Sequence, residues 1–199
     1  MTPGLAELTI GVLGGTGAQG RGLAYRWALS GLSVIIGSRD PDRAERTAAS
    51  LRARASPDDR VRGADNAGCA ADSDLVVVAV PFEGHASLLT SLRSPLAGKI
   101  VIDCVNPLGF DNRGPYPLTV PEGSAAQQAQ ALLPSSRVTA AFHHVSAVLL
   151  EDPDIHSVDT DVLVLGDDRE ATNIVCALAE SIPDVRGIYG GRLRNAVQV

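Results

Sequence analysis

The run Ile10-Gly11-Val12-Leu13-Gly14-Gly15-Thr16-Gly17-Ala18-Gln19-Gly20 constrains this chain more than any other stretch. An apolar segment ending in clustered glycines reads as a buried strand turning directly into a helix. The helix N-terminus offers free N–H groups and the positive end of a dipole, which suits a pyrophosphate. Within Gly15-Thr16-Gly17-Ala18-Gln19-Gly20, Gly15 is expected to permit the tight turn and Gly17 to let backbone approach phosphate. Gly20 would let the helix pack close to the sheet. The spacing predicts a strand over residues 8–13 and a helix over 20–30, stopped at Gly31. The competing reading is a glycine-rich turn kept for packing alone.

Ser38-Arg39 follows Gly20 after a further stretch predicted to end in a second strand, residues 33–38. An NAD site normally places a carboxylate here, on the ribose hydroxyls. This chain supplies a hydroxyl and a guanidinium instead, which point to a 2′-phosphate and hence to NADP. Pro41 marks the start of the next helix, and Arg43 in its first turn can aim at the same group as Arg39. Asp40 leaves an NAD-type ribose contact as the alternative, and both arginines could equally be solvated surface residues.

The chain has 199 residues, 45% of them hydrophobic, enough for one medium domain with a small appendage. A net charge of −6 with no lysine or arginine run excludes a nucleic-acid footprint. Cys69, Cys104 and Cys176 are too widely spaced for a metal or disulfide pattern and read as reduced, apolar filling. The start carries no basic segment leading to an apolar run, and no stretch reaches transmembrane length. The expectation is a soluble cytoplasmic protein with small-molecule partners, no metal, no nucleic acid and no membrane.

The βα rhythm continues. A helix is predicted over 44–54, a breaker at Ser56-Pro57-Asp58-Asp59, a short strand over 60–62 and a short helix over 66–71. The nearly all-apolar residues 75–80 predict a central parallel strand ending at Pro81-Phe82-Glu83, where Pro81 and Phe82 would wall a nicotinamide or simply open a helix. Residues 100–104 predict another strand, leading to Asn106, which could bond a carboxamide or ribose or sit in an ordinary turn. Residues 110–122 read as a loop, 124–133 as a helix and 137–142 as a strand running into His143-His144-Val145. Adjacent histidines in extended chain point to opposite faces, so one is expected at the crevice and the other in packing or a cap. A connector is expected at Glu151-Asp152-Pro153-Asp154. After it come a strand over 161–165, a helix over 168–182, a strand over 185–189 and the start of a helix after Gly190. The fold class is therefore α/β, a doubly wound and mostly parallel sheet.

Several blocks taken together carry a resemblance. They are Gly14-Gly15-Thr16-Gly17-Ala18-Gln19-Gly20, Gly37-Ser38-Arg39, Val80-Pro81-Phe82-Glu83, Phe142-His143-His144-Val145-Ser146-Ala147, Gly166-Asp167-Asp168 and Gly190-Gly191-Arg192-Leu193-Arg194-Asn195-Ala196. The chain resembles the NADPH-dependent coenzyme F420 reductases, within the wider superfamily that includes the pyrroline-5-carboxylate reductases. The resemblance implies a Rossmann domain (residues 1–152) and a small C-terminal α/β unit (153–199). It also implies a homodimer, and hydride transfer between the nicotinamide C4 of NADPH and the deazaflavin C5 of F420. Thr16, Ser38, Arg39 and Arg43 would hold NADP, the last three at its 2′-phosphate. His143 and Val145 would lie near the deazaflavin and the nicotinamide, and His144 is given no role. The family continues past Asn195-Ala196 into helices, which this sequence is expected to lack.

Lys99 is the only lysine and precedes its strand, away from the expected crevice, so the chain offers no helical lysine for proton transfer. Catalysis is accordingly expected to rest on positioning, with no acid or base assigned. His143 could steady charge on the pyrimidine side of the deazaflavin, as the resemblance implies, or fill a core or capping role. Two alternatives stand beside this reading: an imine reductase of the pyrroline-carboxylate type, and a non-catalytic NADP-binding module.

Overall fold

The computed structural model describes residues 4–55 and 60–198. After a short 3-10 turn at Leu5–Glu7, the elements run β1 (Thr9–Leu13), α1 (Ala18–Leu29), β2 (Ser33–Ser38), α2 (Pro41–Ala55), β3 (Val61–Asp65) and α3 (Asn66–Ala71). They continue with β4 (Leu75–Val78), α4 (Phe82–Ser91), β5 (Ile100–Asp103), β6 (Leu108–Asp111), β7 (Gly114–Pro117) and α5 (Ala125–Leu132). The last are β8 (Arg137–Ala140), α6 (Ala147–Glu151), β9 (Thr160–Gly166), α7 (Arg169–Glu180), β10 (Val185–Gly191) and a 3-10 helix at Leu193–Gln198. The breaker expected at 56–59 lies outside the described residues.

Eight strands form one sheet in the order β10-β9-β8-β5-β4-β1-β2-β3. Every neighbouring pair is parallel except β8 with β9. The reversal from β2 and β3 on one side of β1 to β4, β5 and β8 on the other is the doubly wound Rossmann arrangement. The segment after residue 153 adds β9 and β10 to the far edge of this same sheet.

Alternation along the strands sends side chains to two layers. Val12, Ile36, Val77 and Ile102 pack under α1, α2 and α7 with Leu23, Trp27, Leu51 and Val175. Leu13, Ile35, Val78 and Val101 pack under α4, α5 and the terminal 3-10 helix with Leu89, Ala126, Ala129 and Leu193. β4 is buried along its whole length, which explains its unbroken Leu-Val-Val-Val sequence. Helix starts are set by side-chain caps: Asp65 accepts from Gly68 N, Ser124 from Gln127 N, Ser146 from Leu149 N and Asp168 from Ala171 N.

Three expectations are corrected. Residues 110–122 are not all loop: β6 and β7 form an antiparallel hairpin, turned at Gly114 (φ 113°) and at Asp111, whose carboxylate accepts from Arg113 N at 2.8 Å. Two prolines disguised β7, and a two-stranded ribbon tolerates them because one edge of each strand is unpaired. The strand expected to reach Phe142 stops at Ala140, because Phe142 adopts a left-handed φ of 67°. The connector expected to begin at Glu151 is entered through an unexpected helix, α6, which ends at that residue, and its placement depends on a residue far away in sequence. Arg26 is buried and donates to the carbonyls of Leu149, Leu150 (2.8 Å), Asp152 (3.2 Å) and Ile155 (2.6 Å). A cation closing the C-terminal carbonyls of a helix satisfies both its own charge and theirs.

Candidate active site

Strands β1, β2, β4, β5 and β8 are parallel, so their C-terminal ends meet at one edge of the sheet. Strand order reverses between β1 and β4, and the crevice of such a sheet opens at that point.

The turn leaving β1 is cramped. Gly14 has φ 78°, and a Cβ there would stand 2.3 Å from the Ala79 carbonyl oxygen. The tight turn expected at Gly15 therefore takes its left-handed residue at Gly14. A Cβ at Gly20 would lie 2.7 Å from the Gly14 oxygen, so the helix is drawn against the turn itself. Gly17 is the N-cap of α1, with no capping side chain and no acidic residue in the first turn. The opening N–H groups of α1, at Ala18, Gln19 and Gly20, are thus left without a side-chain cap, as a phosphate site requires. Thr16 lies half-buried on the turn.

At the end of β2, Ser38 is buried and its hydroxyl accepts from Asp40 N at 3.2 Å. Asp40 in turn caps α2: its carboxylate accepts from Arg43 N at 3.1 Å and lies 3.9 Å from the Arg46 guanidinium. The one carboxylate placed to bond a ribose is committed to its own helix. Arg39 and Arg43 are both exposed, and neither guanidinium has a carboxylate partner among the described residues. Arg43 also lines a groove of about 390 Å³ between α1, α2 and α6, with Arg21, Arg46, Arg54, Thr47 and Ser50. Arg21 there is neutralised by Glu151, and Arg54 lies over the Tyr25 ring at 4.4 Å.

The opposite end of the crevice is assembled from β4, β5 and β8. Pro81, expected with Phe82 as a wall or a helix start, is the exposed N-cap of α4, and Phe82 opens that helix half-buried. The turn after β8 is tied to two other loops. Gln19 Nε2 donates to the Phe142 carbonyl at 3.3 Å, and Asn106 Nδ2 donates to the His143 carbonyl at 2.9 Å. Val145 N closes the turn onto Phe142 O at 3.4 Å, and the Val145 side chain is buried. The Phe142 ring packs edge-on against Trp27 at 5.8 Å, which holds the left-handed backbone in place. Gln19 and Asn106, expected as cofactor ligands, act in the fold as struts between loops. His143 is half-buried, whereas His144 is exposed and bonds the Asp161 carbonyl at 2.8 Å. Burial lowers the His143 pKa, the Asp103 charge opposes that, and His144 adds to the lowering. The net result is a ring held neutral at neutral pH.

Sequence reasoning missed a buried polar chain directly beneath this end. His85 and Asp103 have no exposed surface, and His85 Nε2 lies 2.6 Å from Asp103 Oδ2. His85 Nδ1 lies 3.1 Å from Gln128 Oε1, and Gln128 Nε2 donates to Glu122 at 3.3 Å. Burial alone would lower the His85 pKa, but the bond and charge of Asp103, with help from Gln128, raise it overall. An aspartate closing the apolar run Ile100-Val101-Ile102 is the signal that could have found it. Lys99 lies at the opposite end of β5, where its ammonium donates to the carbonyls of Ala70, Ala71 and Ser73, each at 2.6 Å. Among the described residues no cluster of three or more His, Cys, Asp or Glu could hold a metal. Nor is any helix there long and apolar enough to cross a membrane.

Known proteins share this arrangement. Residues 9–107 match the family model for NADP oxidoreductase, coenzyme F420-dependent. The chain is 42% identical to the F420-dependent NADP reductase of Methanothermobacter thermautotrophicus, over 95% of its own length and 83% of the relative's. Identity to the protein of the same name from Methanocaldococcus jannaschii is 38%, over 95% and 86%. A crystal structure of a putative F420-dependent NADP-reductase from Arthrobacter sp. FB24 superposes with a TM-score of 0.80 at 30% identity, covering 96% of this chain and 88% of that one. With this identity and coverage, the chain belongs to the family of coenzyme F420-dependent NADP oxidoreductases.

Proposed function

We propose that this protein transfers a hydride between the nicotinamide C4 of NADP(H) and the deazaflavin C5 of coenzyme F420. The observation that carries the NADP half is the pair of exposed arginines, Arg39 and Arg43, whose guanidinium groups meet no carboxylate among the described residues, beside an aspartate that caps a helix. Two guanidinium forks with a buried serine hydroxyl suit a 2′-phosphate dianion, and charge-assisted bonds of this kind are the strong ones. The N–H groups opening α1 hold the pyrophosphate, with Gly15, Thr16 and Gly17 on the approach.

When bound, NADPH would supply the hydride and F420 would accept it at C5, with a proton from solution taken up on the pyrimidine side. The chain's task is to hold two flat rings face to face near van der Waals distance and to keep water out. Pro81 and Phe82 wall one side of the crevice; Asn106, His143 and Val145 line the other. His143, kept neutral by its surroundings, can offer a hydrogen bond to charge developing on the pyrimidine side without adding a cation. No side chain is needed to carry the hydride.

Two further features belong to this reading. Residues 1–152 serve as the cofactor-binding unit, with 153–199 as the smaller unit that extends its sheet. The protein works as a homodimer in the cytoplasm; the exposed Leu108, Phe110 and Tyr116 on the β6–β7 hairpin support pairing of two copies.

The test is the absorbance of oxidised F420 mixed with the protein and NADPH, with NADH and FMN in parallel. Rapid bleaching with NADPH and F420 alone is the expected result. Confirmed NADPH binding without bleaching would reduce the protein to a binding module.

A further inference from the structure

The proposed hydride transfer needs no buried ion pair, yet one lies under the crevice, and its contacts reach both walls. Asp103 is the hub. Its Oδ2 faces His85, its Oδ1 accepts from Val105 N at 3.0 Å, and its backbone carbonyl accepts from Ala141 N at 3.1 Å. Val105 is the residue before Asn106, the strut that holds the His143 carbonyl. Ala141 begins the turn that carries Phe142, His143 and Val145. On the other side, the His85 ring lies stacked beneath the Phe82 ring, with centroids 6.0 Å apart and planes inclined by 25°.

The protonation of the chain follows from its far end. Gln128 points its NH2 at Glu122, so its carbonyl oxygen must face His85 Nδ1. A carbonyl only accepts, so Nδ1 carries a proton, and Nε2 facing a carboxylate carries one too. His85 is therefore an imidazolium bonded at both nitrogens, and Asp103 is its buried counter-ion. A rigid, fully bonded pair of this kind holds its neighbours in one geometry, whatever it contributes to net stability.

We propose that His85, Asp103 and Gln128 form a positioning device that sets the gap between the Phe82 wall and the Asn106–His143 wall, and with it the approach of the nicotinamide to the ring that takes its hydride. The claim rests on the reading of the protein as a hydride-transferring reductase. None of the three touches the rings; they act through Phe82, Asn106 and His143.

Asp103→Asn separates geometry from charge. The asparagine Oδ1 still accepts from Val105 N, and its NH2 donates to Nε2 of a neutral His85. The Nδ1–H of that ring still donates to Gln128. Every bond survives and only the charges go. Asp103→Ala removes the hub.

The measurements are kcat with F420, the primary isotope effect from NADPH deuterated at the transferred position, and the affinity for 2′,5′-ADP, which probes the phosphate end alone. The emission of bound NADPH is read alongside them, as a report on the nicotinamide. Misplacement by about 1 Å costs roughly 100-fold in rate. Asp103→Ala is expected to lose kcat on that order, with a larger isotope effect, altered emission and unchanged 2′,5′-ADP affinity. Asp103→Asn should stay within about threefold of wild type, because each hydrogen bond keeps a partner.

Gln128→Ala, at the half-buried end of the chain, serves if Asp103→Ala does not fold, and should show the same pattern more weakly. Equal losses in kcat and 2′,5′-ADP affinity, an unchanged isotope effect, or no rescue by asparagine would overturn the proposal. Should the wild type fail to bleach F420, the functional reading falls. The positioning claim is then decided by emission: a change in Asp103→Ala that Asp103→Asn restores supports it, and no change refutes it.

Discussion

The phosphate end of the crevice, residues 9–43, and the ring end, residues 82–145, are built from different kinds of information. At the phosphate end the working groups are neighbours in sequence: a strand, a turn, a helix N-terminus, then the next strand and its last residues. Even the bond that diverts Asp40 from a ribose spans only three residues. At the ring end, Asn106 reaches His143 across 37 residues and His85 reaches Gln128 across 43, and the turn there is tied to the phosphate end by Gln19, which reaches Phe142 across 123. Phosphate binding asks for open N–H groups and a guanidinium, which a short segment can supply on its own. Holding two rings at a fixed separation asks for several loops to be locked to one another, and no short segment can do that.

The comparison breaks most visibly at Arg39. On the proposed reading, Arg39→Ala removes a charge-assisted contact to the 2′-phosphate, worth about 2–3 kcal/mol, so NADPH affinity is expected to fall roughly 100-fold. NADH affinity should move by less than about twofold, since NADH has no phosphate there to lose. Titration calorimetry with both nucleotides reads the ratio directly. Equal losses for the two would mean that Arg39 shapes the site generally and does not select the phosphate.

That division also explains how much of the molecule was legible. The strand–glycine–helix run, Ser38-Arg39 and the unbroken apolar strand β4 carry their meaning in adjacent residues, and strands and helices there fall within a few residues of expectation. The hairpin at Leu108–Pro117 was hidden because its two prolines argue against a strand unless one knows that the ribbon has open edges. Helix α6 was hidden because a five-residue helix has little propensity of its own and is held by Arg26, more than a hundred residues earlier. An arginine in the otherwise apolar stretch Leu23-Ala24-Tyr25-Arg26-Trp27-Ala28 hints at a buried cation, but nothing in that stretch says which carbonyls it meets. The positive φ at Phe142 is of the same kind, since its cause is Trp27 and the loops around it. Candidate site residues could be named from sequence at both ends of the crevice. Neither the cap of Asp40 on Arg43 nor the struts at Phe142 and His143 was read from sequence.

A milder break lies at Asn106. Asn106→Ala leaves the Asp103 hub in place and removes one neutral hydrogen bond, of about 1 kcal/mol, between the loops after β5 and β8. The expected result is a fall in kcat of roughly fivefold to tenfold, with 2′,5′-ADP affinity unchanged. If binding of that half-nucleotide fell as well, the two ends of the crevice would be mechanically coupled and the contrast drawn between them would have to be withdrawn.

The smallest effect is expected at Asp40, and it is informative because it is small. From sequence, this carboxylate was the one feature favouring NAD over NADP. In the fold it accepts from Arg43 N and stands beside Arg46, so its oxygens serve α2. Asp40→Asn keeps an oxygen for the Arg43 N–H, and asparagine is as good an N-cap as aspartate. NADH and NADPH affinities should therefore each change by less than about twofold, with a slight gain for NADPH as a negative charge leaves the neighbourhood of its 2′-phosphate. A carboxylate that truly held the ribose hydroxyls would behave otherwise. Losing it would cost NADH binding roughly tenfold, as expected for a hydrogen bond to a charged group. That result would return Asp40 to the site and make Arg39 the bystander.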